Sequence, residues 1–276
     1  MPGLVFGTGG TPLSSREQTT VAGIERIAEL GLGCMELEFV QGVKMGERAA
    51  RGVAETAARL NVRLTAHAPY YINLNSREPE KVSASQDRIV QTARIAQFCG
   101  AESIIFHPAF YLGDPPEKVY ETVKKHLAEV MNRLERENNR VWVRPEVMGK
   151  ASQFGTVTEI LDLSAELGGR LAPGIDFAHW HARTGRNNTY QEFAAVLEQV
   201  KEKLGRKALD NMHIHISGIA YGLKGELKHR NLKESDFRYV ELLKALEDFG
   251  TSGMVICESP NLEEDARLLQ ETYHNL

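Results

Sequence analysis

Short runs of β-branched and other apolar residues alternate along the chain with longer segments of helical periodicity. The strand candidates begin near Leu4, Cys34, Arg63, Ser103, Val141, Leu171, Asn211 and Met254. Between them, apolar residues recur at three- and four-residue spacing, which predicts helices over residues 18–30, 47–60, 78–98, 116–137, 158–167, 190–204, 234–249 and 262–276. Strict alternation of this kind predicts a parallel sheet covered by crossover helices.

The number of strand–helix pairs distinguishes an open sheet from a closed one. Eight pairs favour closure into a (β/α)8 barrel, the TIM barrel of the α/β class. The length of 276 residues fits this fold, because such barrels take about 250 residues. No linker or low-complexity stretch divides the chain, so we expect a single TIM-barrel domain over residues 1–276.

Cysteine usage and net charge limit the classes of protein to consider. Cys34, Cys99 and Cys257 lie far apart and form no Cys-x-x-Cys pair. They indicate neither a disulfide framework nor a thiolate zinc site, so we expect a reduced, cytoplasmic setting. No uncharged apolar run approaches membrane-spanning length, so we expect no membrane insertion. The formal net charge of −4 argues mildly against a strongly basic nucleic-acid binder. That argument weakens if divalent cations are bound, because they concentrate positive charge at one site.

Six of the strand-like runs end in a residue that can bind a metal ion. In a (β/α)8 barrel, the strand ends meet at the rim that carries the active site. Carboxylates and imidazoles crowded there would be costly to bury unless they were paired or bound to cations. Ligation by nitrogen and oxygen suits zinc, and also manganese or iron. The sequence therefore predicts a metalloenzyme with ligands among the terminal residues His67, His107, Glu146, Asp176, His213 and Glu258.

Short motifs surround these ligands. The stretch after the third strand has the form His-x-x-Tyr-x-Ile-Asn-Leu, as His67-Ala68-Pro69-Tyr70-Tyr71-Ile72-Asn73-Leu74. The motifs that follow it in order are Phe106-His107-Pro108, Glu146 with Gly149, Asp176-x-x-His179, Met212-His213-Ile214 and Glu258-Ser259-Pro260. Together they resemble the endonuclease IV family, which are zinc-dependent apurinic/apyrimidinic endonucleases on a xylose-isomerase-like barrel. The resemblance runs from about Leu64 to Pro260.

This resemblance implies two to three zinc ions per chain and assigns their ligands. One ion would be held by His67, His107 and Glu146. A second would be held by Glu146, as a bridge between the ions, together with Asp176, His213 and Glu258. Glu146 and Glu258 would also be the catalytic residues.

The third ion would take His179 and two ligands from the loop after the seventh strand. Here the chain departs from the family's Asp-Arg-His pattern, because it reads Gly-Glu-Leu-Lys-His over residues 225–229. Counting forward places the family's Asp position on Glu226 and its His position on Lys228. A protonated lysine has no lone pair for a metal, so we expect Glu226 and His229 to be the ligands. Their i,i+3 spacing would place both on one side of a turn.

The same resemblance implies a reaction and a partner. The reaction would be hydrolysis of the phosphodiester 5′ of an abasic site in duplex DNA, leaving a 3′-hydroxyl and a 5′-deoxyribose phosphate. Clustered divalent ions support such hydrolysis without a side-chain nucleophile. Extruding the abasic nucleotide costs least where no base is stacked. We expect the enzyme to act as a monomer.

Five residues are candidate DNA contacts. Tyr70 and Tyr71 follow His67 and would act as wedge or stacking residues, with packing at the rim as the alternative. Lys44, in the loop after the second strand, and Lys228 would meet phosphates, although a charged residue there also serves to solvate the surface. His215 has the same strand parity as His213, so it would contact phosphate or orient a metal ligand. Residues 39–45 do not match the family's DNA-penetrating loop.

Two other functions remain open. A sugar isomerase or epimerase on the same barrel needs one or two metals, held mainly by Glu, Asp and a single His. The paired His67 and His107, and the Asp176-x-x-His179 step, exceed that need. A non-catalytic barrel that binds metal or DNA lesions is the second alternative, and Glu146 and Glu258 argue against it.

Overall fold

The computed structural model describes residues 3–276, which build a barrel of eight parallel strands. Numbered along the chain, the barrel strands are β1 (Leu4–Gly9), β2 (Cys34–Glu38), β3 (Arg63–His67), β4 (Ser103–Phe106), β6 (Trp142–Pro145), β8 (Gly174–Asp176), β9 (Met212–Ile216) and β12 (Gly253–Cys257). Neighbours pair in the order β6-β4-β3-β2-β1-β12-β9-β8. Two bridges, Val143 with Leu171 and Glu146 with Gly174, join β6 to the β8 segment and nearly close the ring. The predicted TIM barrel is confirmed.

Ten α-helices accompany the strands within the described residues. They are α1 (Thr20–Glu29), α2 (Glu47–Leu60), α3 (Pro79–Phe98), α4 (Pro116–Arg136), α5 (Val157–Leu167), α6 (Phe177–Thr184), α7 (Tyr190–Leu204), α8 (Arg206–Leu209), α9 (Tyr239–Asp248) and α10 (Glu263–His274). Seven of the eight predicted helices lie within two residues of their expected bounds. Their apolar stripes cover the outer face of the barrel, and Phe6, Ile104 and Ile214 are among the buried residues of this core. Over residues 3–276, no helix is both long and apolar enough to span a lipid bilayer.

The remaining predicted helix, expected over residues 234–249, begins at Tyr239. A 3-10 turn (Leu232–Glu234) precedes it. The Ser235 hydroxyl then accepts a hydrogen bond from Ile219 N at 2.9 Å and lies 3.1 Å from Ile219 O. These contacts tie the segment before α9 to the chain that follows β9, so it does not join the helix.

Several short elements were not predicted. The chain after β9 forms an antiparallel hairpin of β10 (Gly218–Gly222) and β11 (Gly225–Arg230), and a second pair joins β5 (Ala109–Phe110) to β7 (Gln153–Phe154). Helix α6 starts directly after β8, where the Asp176 carboxylate accepts a hydrogen bond from His179 N at 2.7 Å. The Asp-x-x-His spacing is therefore also a helix N-cap. These elements stand at the C-terminal ends of the strands, where they shape the site.

Candidate metal centre

The C-terminal ends of the barrel strands, here called the rim, bring histidine and acidic side chains together. Four overlapping groups have potential ligand atoms that lie within 4.8 Å of one another. Three stand at the rim and share Glu146 or Asp176, and the fourth lies deeper in the barrel. The rim groups are His67, His107 and Glu146 (the first group), Glu146, Asp176, His215 and Glu258 (the second group), and Asp176, His179 and His229 (the third group).

The first group contains the three residues predicted to hold one ion. His107 Nε2 lies 3.1 Å from Glu146 Oε2, and His67 Nε2 lies 3.5 Å from the same oxygen. The Nδ1 atom of His67 is 2.8 Å from the carbonyl oxygen of Ala68. Because a carbonyl only accepts, Nδ1 carries a proton, and loss of the proton on Nε2 would leave a lone pair facing Glu146 and available to a metal.

The second group has one member that the sequence assigned differently. His215, not His213, lies beside the carboxylates, with Nδ1 3.2 Å from Glu258 Oε2 and 3.4 Å from Glu146 Oε1. His213 lies deeper, with Nε2 3.0 Å from Glu36 Oε2. Both imidazoles face the barrel interior, but two residues along a strand separate them by about 6–7 Å in height, so only His215 reaches the rim.

This placement also changes the role of His215. Its side chain has no exposed surface, and the carboxylates of Glu36, Glu146 and Glu258 surround it. A direct DNA contact is incompatible with that burial. The two histidines could not be distinguished from sequence because His213-Ile214 and His215-Ile216 repeat the same pattern. Strand parity alone does not show which histidine lies closer to the rim.

The third group lies where the hairpin meets α6. His179 Nε2 is 3.2 Å from His229 Nε2 and 3.6 Å from Glu226 Oε2, so both predicted partners face His179. Lys228 is exposed and pairs with Ala220 in the hairpin. The structure thus brings Glu226 and His229 to His179 and leaves Lys228 outside the group.

A β-bulge explains how Glu226 and His229 come to share a face. Tyr221 pairs with Glu226 and Ile219 pairs with His229, and the register shifts between Ala220 and Tyr221. Since residues 219 and 221 lie on one face of β10, their partners also share a face. The extra residue, Leu227, is absorbed in the bulge. The two ligands therefore lie on a bulged strand rather than on the expected turn.

The hairpin is positioned by Gly149, which follows Glu146 in the chain. Glu226 N donates to Gly149 O at 3.0 Å, and Lys150 forms a bridge with Gly225. A Cβ atom at residue 149 would lie 2.8 Å from Glu226 Cβ and 2.9 Å from Glu226 Oε2. Only glycine leaves room there for the Glu226 side chain beside His179.

The hydrogen bonding of the rim tests whether these residues suit a metal. Both carboxylate oxygens of Glu146, Oδ2 of Asp176 and Nδ1 of His215 are buried and lack a well-oriented hydrogen bond within residues 3–276. Leaving buried charged groups unsatisfied is costly, whereas a cation among them would satisfy all four atoms. Imidazole nitrogens mixed with carboxylate oxygens suit zinc and also other divalent transition metals. The residues fit a divalent metal.

The pKa values follow from the same crowding. Burial alone would raise the pKa of Glu146, but the imidazole of His107 and contacts with His179 and His215 hold it well below its usual range. Burial would lower the pKa of His67, yet its contact with Glu146 and the charge of Glu38 raise it to about 9. The pKa of His179 is similarly raised to about 10, chiefly by Asp176. In the metal-free protein, protons on these imidazoles therefore balance part of the carboxylate charge.

Sequence reasoning missed two acidic residues on β2. Glu36 is fully buried beside His213 and His215. Glu38 stands at the rim, where crowding by protein atoms and the nearby charges of Glu36 and Glu258 raise its pKa to about 8, although part of its side chain stays open to solvent. The alternation of positions 34, 36 and 38 on one strand face was the available signal.

The predicted DNA contacts border the rim. Tyr70 is 52% exposed and its ring stacks on His107, with centroids 5.3 Å apart and an interplanar angle of 28°. Tyr71 is 61% exposed and lies under the Arg88 guanidinium, 5.9 Å from it. Lys44 is exposed in the loop after β2. These positions leave both tyrosine rings and the Lys44 cation accessible to a bound molecule.

Comparisons with known proteins bear on this arrangement. The sequence profile of the xylose isomerase-like TIM barrel family matches residues 24–274. An uncharacterized protein of Methanocaldococcus jannaschii is 45% identical over 274 residues, covering 99% of this chain and 98% of that protein. A probable endonuclease 4 of Mycoplasma pneumoniae is 26% identical over 185 residues, covering 66% of this chain and 62% of that protein. The predicted resemblance to endonuclease IV is thereby confirmed.

Solved structures show the same fold with different functions. An endonuclease IV of Thermus thermophilus superposes with a TM-score of 0.73 at 18% identity, covering 99% of this chain and 98% of that one. A D-tagatose 3-epimerase-like protein superposes with a TM-score of 0.71 at 16% identity, covering 98% and 96%. Such low identities show the fold alone. The profile match over residues 24–274 shows that this chain belongs to the xylose isomerase-like TIM barrel family.

Proposed function

We propose that this protein is a metal-dependent endodeoxyribonuclease that hydrolyses the phosphodiester 5′ of abasic sites in duplex DNA. One observation carries the proposal: the second group is flanked on both sides by additional imidazoles. His67 and His107 face Glu146 from one side, and His179 with His229 faces Asp176 from the other. Three groups that share carboxylates suit a cluster of two to three zinc ions, with manganese or iron as substitutes.

The chain's own residues would bind and orient a phosphodiester only if their charge were offset. Glu146, Asp176 and Glu258 place three carboxylates beside one another, and these would repel a phosphate. When bound, divalent ions would neutralise that charge, lower the pKa of water and stabilise both the attacking and leaving oxygens. Glu146 is central because it faces the first and second groups together. Glu258 closes the second group from the residue after β12, with Oε2 3.2 Å from His215 Nδ1.

The rim also has features suited to DNA. Tyr70 and Tyr71 expose aromatic rings next to the first group, where they would fill the space left by a missing base. Lys44, in the loop after β2, and Lys228, on β11, are both exposed and would contact backbone phosphates of the duplex. The partner is therefore abasic duplex DNA, and the setting we propose is the cytoplasm, with the protein acting as a monomer.

A sugar epimerase or isomerase is the second candidate. The second group alone, with three carboxylates and the single imidazole of His215, would satisfy the metal requirement of that chemistry. The epimerase-like fold neighbour is consistent with it. The additional imidazoles of His67, His107, His179 and His229 exceed the metal requirement of such a reaction, which favours the nuclease.

A two-substrate assay separates the two candidates. Zinc-loaded protein is incubated with a duplex containing one tetrahydrofuran abasic analogue, with the same intact duplex, and with a panel of ketoses. We expect incision 5′ of the analogue only, with a 3′ end that a polymerase extends. Glu146→Gln should lower the incision rate by at least about 100-fold, because mutating even a residue that only orients a metal ligand lowers metal affinity or activity by about 10–100-fold. Glu202→Gln, on the exposed surface of α7, is the matched control. Epimerised ketose with intact DNA would reverse the assignment.

A further inference from the structure

The fourth group lies inside the barrel beneath the rim and consists of Glu36, His213 and His215 (the inner group). None of the three side chains has more than 1% exposure, so neither substrate nor solvent reaches them. The interior of a (β/α)8 barrel is normally filled by branched apolar side chains. Burying a carboxylate with two imidazoles at this depth costs free energy of folding unless each group has a defined partner. That cost indicates a role that these three residues serve together.

The contacts of the inner group form a chain that ends at the rim. Glu36 Oε2 accepts a hydrogen bond from the Thr65 hydroxyl at 2.7 Å and lies 3.0 Å from His213 Nε2. Glu36 Oε1 lies 3.0 Å from His215 Nε2. His213 Nδ1 is 2.9 Å from the Ser103 hydroxyl. Each carboxylate oxygen of Glu36 therefore lies beside one imidazole nitrogen, but Oε1 has no well-oriented hydrogen bond within residues 3–276.

These partners determine where the protons sit. The two Nε2 atoms of His213 and His215 lie 3.1 Å apart in hydrogen-bonding geometry, so only one of them carries the proton between them. When His215 Nε2 carries it, His213 Nε2 accepts and His213 Nδ1 donates to the Ser103 hydroxyl. This arrangement leaves the Nδ1 lone pair of His215 directed toward Glu146 and Glu258, 3.4 and 3.2 Å away. The negative charge of Glu36, whose Oε1 lies 3.0 Å from His215 Nε2, favours a proton at that nitrogen and therefore the tautomer of His215 that can bind a metal at the second group.

We propose that Glu36 is a positioning residue for the metal ligand His215 and that His213 holds Glu36 in place. A ligating histidine commonly donates its other ring proton to a carboxylate, which fixes the ring and increases its basicity. The second imidazole is the unusual part, because it lies beside the first and contacts the other oxygen of the same carboxylate. The inference rests on the proposed metal binding of the second group and is independent of the substrate.

An additional ion within the inner group is the competing explanation. The two Nε2 atoms are 3.1 Å apart, and with Glu36 they would offer three donors. That arrangement requires His215 to bind ions through both ring nitrogens, which removes both of its ring protons. It also gives the ion only three protein ligands, at a depth that water does not reach. The positioning role needs neither condition.

Zinc titration against a chromophoric chelator tests the proposal in the full-length protein. We expect Glu36→Gln to lower the binding affinity for one zinc ion by about 10–100-fold, while the number of ions bound at saturating zinc stays unchanged. His213→Gln, whose amide N–H can still donate to Glu36, should lower the affinity for that ion less than His213→Ala does. The control is Cys34→Ala, a buried position on the same strand whose thiol bonds only to backbone carbonyls.

A spectroscopic readout excludes a merely structural effect. In zinc-loaded protein labelled with 15N-histidine, we expect His215 to carry its proton on Nε2, and Glu36→Gln to change that signal without changing the circular dichroism spectrum. Unchanged zinc affinity in Glu36→Gln would overturn the proposal, and so would the loss of one whole ion with the others unaffected. Absence of zinc binding by the unaltered protein would also overturn it. Zinc binding without DNA incision would contradict only the proposed nuclease function.

Discussion

Lys228 and His229 are adjacent residues whose side chains leave β11 in different directions. His229 Nε2 lies 3.2 Å from His179 Nε2, whereas Lys228 is exposed. We expect His229→Ala to lower bound zinc by about one ion per chain and to slow incision, because the first two groups draw their ligands from other strands. Lys228→Ala should leave the zinc content unchanged. Elemental analysis of the two variants makes the comparison, and full zinc content in His229→Ala would show that the third group holds no ion.

Tyr70 is the aromatic residue best placed to read a missing base. Its ring stacks on His107 at the edge of the first group and is half exposed. Removing a ring on which a nucleic acid stacks costs ~1–3 kcal/mol. We therefore expect Tyr70→Ala to weaken binding of abasic duplex by roughly that amount and intact duplex by less, with Tyr70→Phe retaining the preference. Equal losses on both duplexes, measured by fluorescence anisotropy, would make Tyr70 a packing residue.

Most site residues could be identified from sequence because each interrupts an apolar pattern. His67, Glu146 and Glu258 each end a run of apolar residues, and a polar side chain at that point faces the rim. The choice between His213 and His215 could not be made this way, since both have the same parity and their depth depends on the register of β9 against β8 and β12. That register is a long-range property of the closed barrel.

The hairpin of β10 and β11 shows how one inserted residue is accommodated at the level of an element. The family's Asp-Arg-His spacing puts two ligands on one strand face with a single residue between them. Here Leu227 and Lys228 both separate Glu226 from His229, and the bulge restores the shared face. The spacing was therefore visible in the sequence, but the bulge depends on pairing with β10, a strand that was not predicted.

This explanation makes a prediction about deletions. Removing Leu227 alone should convert the bulge to regular pairing, keep Glu226 and His229 on one face, and leave the zinc content unchanged. Removing Leu227 and Lys228 together makes the two ligands adjacent, which turns them to opposite faces and should release about one ion. Leu227→Ala, which keeps both chain length and bulge, is the control. Loss of an ion in the single deletion, measured by native mass spectrometry, would contradict the bulge explanation.

Long helices were predicted well because their apolar stripes are local, as for α2 and α7. Helix α6 was missed because it is only eight residues long, follows β8 without a loop and is capped by Asp176, a residue that also belongs to the second and third groups. Its start depends on the N-cap bond from His179 N. The elements nearest the site were thus the hardest to predict, since their geometry serves ligand placement as well as packing.

At the scale of the whole molecule, the charges of the rim connect metal binding to stability. His67 and His179 have pKa values raised from 6.5 to about 9 and about 10 in the metal-free protein. A group whose pKa is higher in the folded state than in the unfolded state stabilises the folded state at pH values below its unfolded-state pKa. This stabilisation is lost as the pH rises through its folded-state pKa. We therefore expect the urea midpoint of metal-free protein to fall between about pH 7 and pH 10.

Zinc-loaded protein is the control for that titration. Its imidazoles bind cations instead of protons, so its urea midpoint should change little over the same pH range. A metal-free midpoint that stays constant or rises would show that the carboxylates of Glu146 and Asp176 are not balanced by protonated His67 and His179.

The proposed nuclease site requires that the rim hold a cluster of ions joined through shared carboxylates, rather than the single ion that an epimerase-like site would hold. Anomalous diffraction at the zinc edge, from crystals of zinc-loaded protein, distinguishes the two cases. We expect separate peaks at the first, second and third groups, with Glu146 between the first two. A single peak, confined to the second group of Glu146, Asp176, His215 and Glu258, would contradict the proposed cluster.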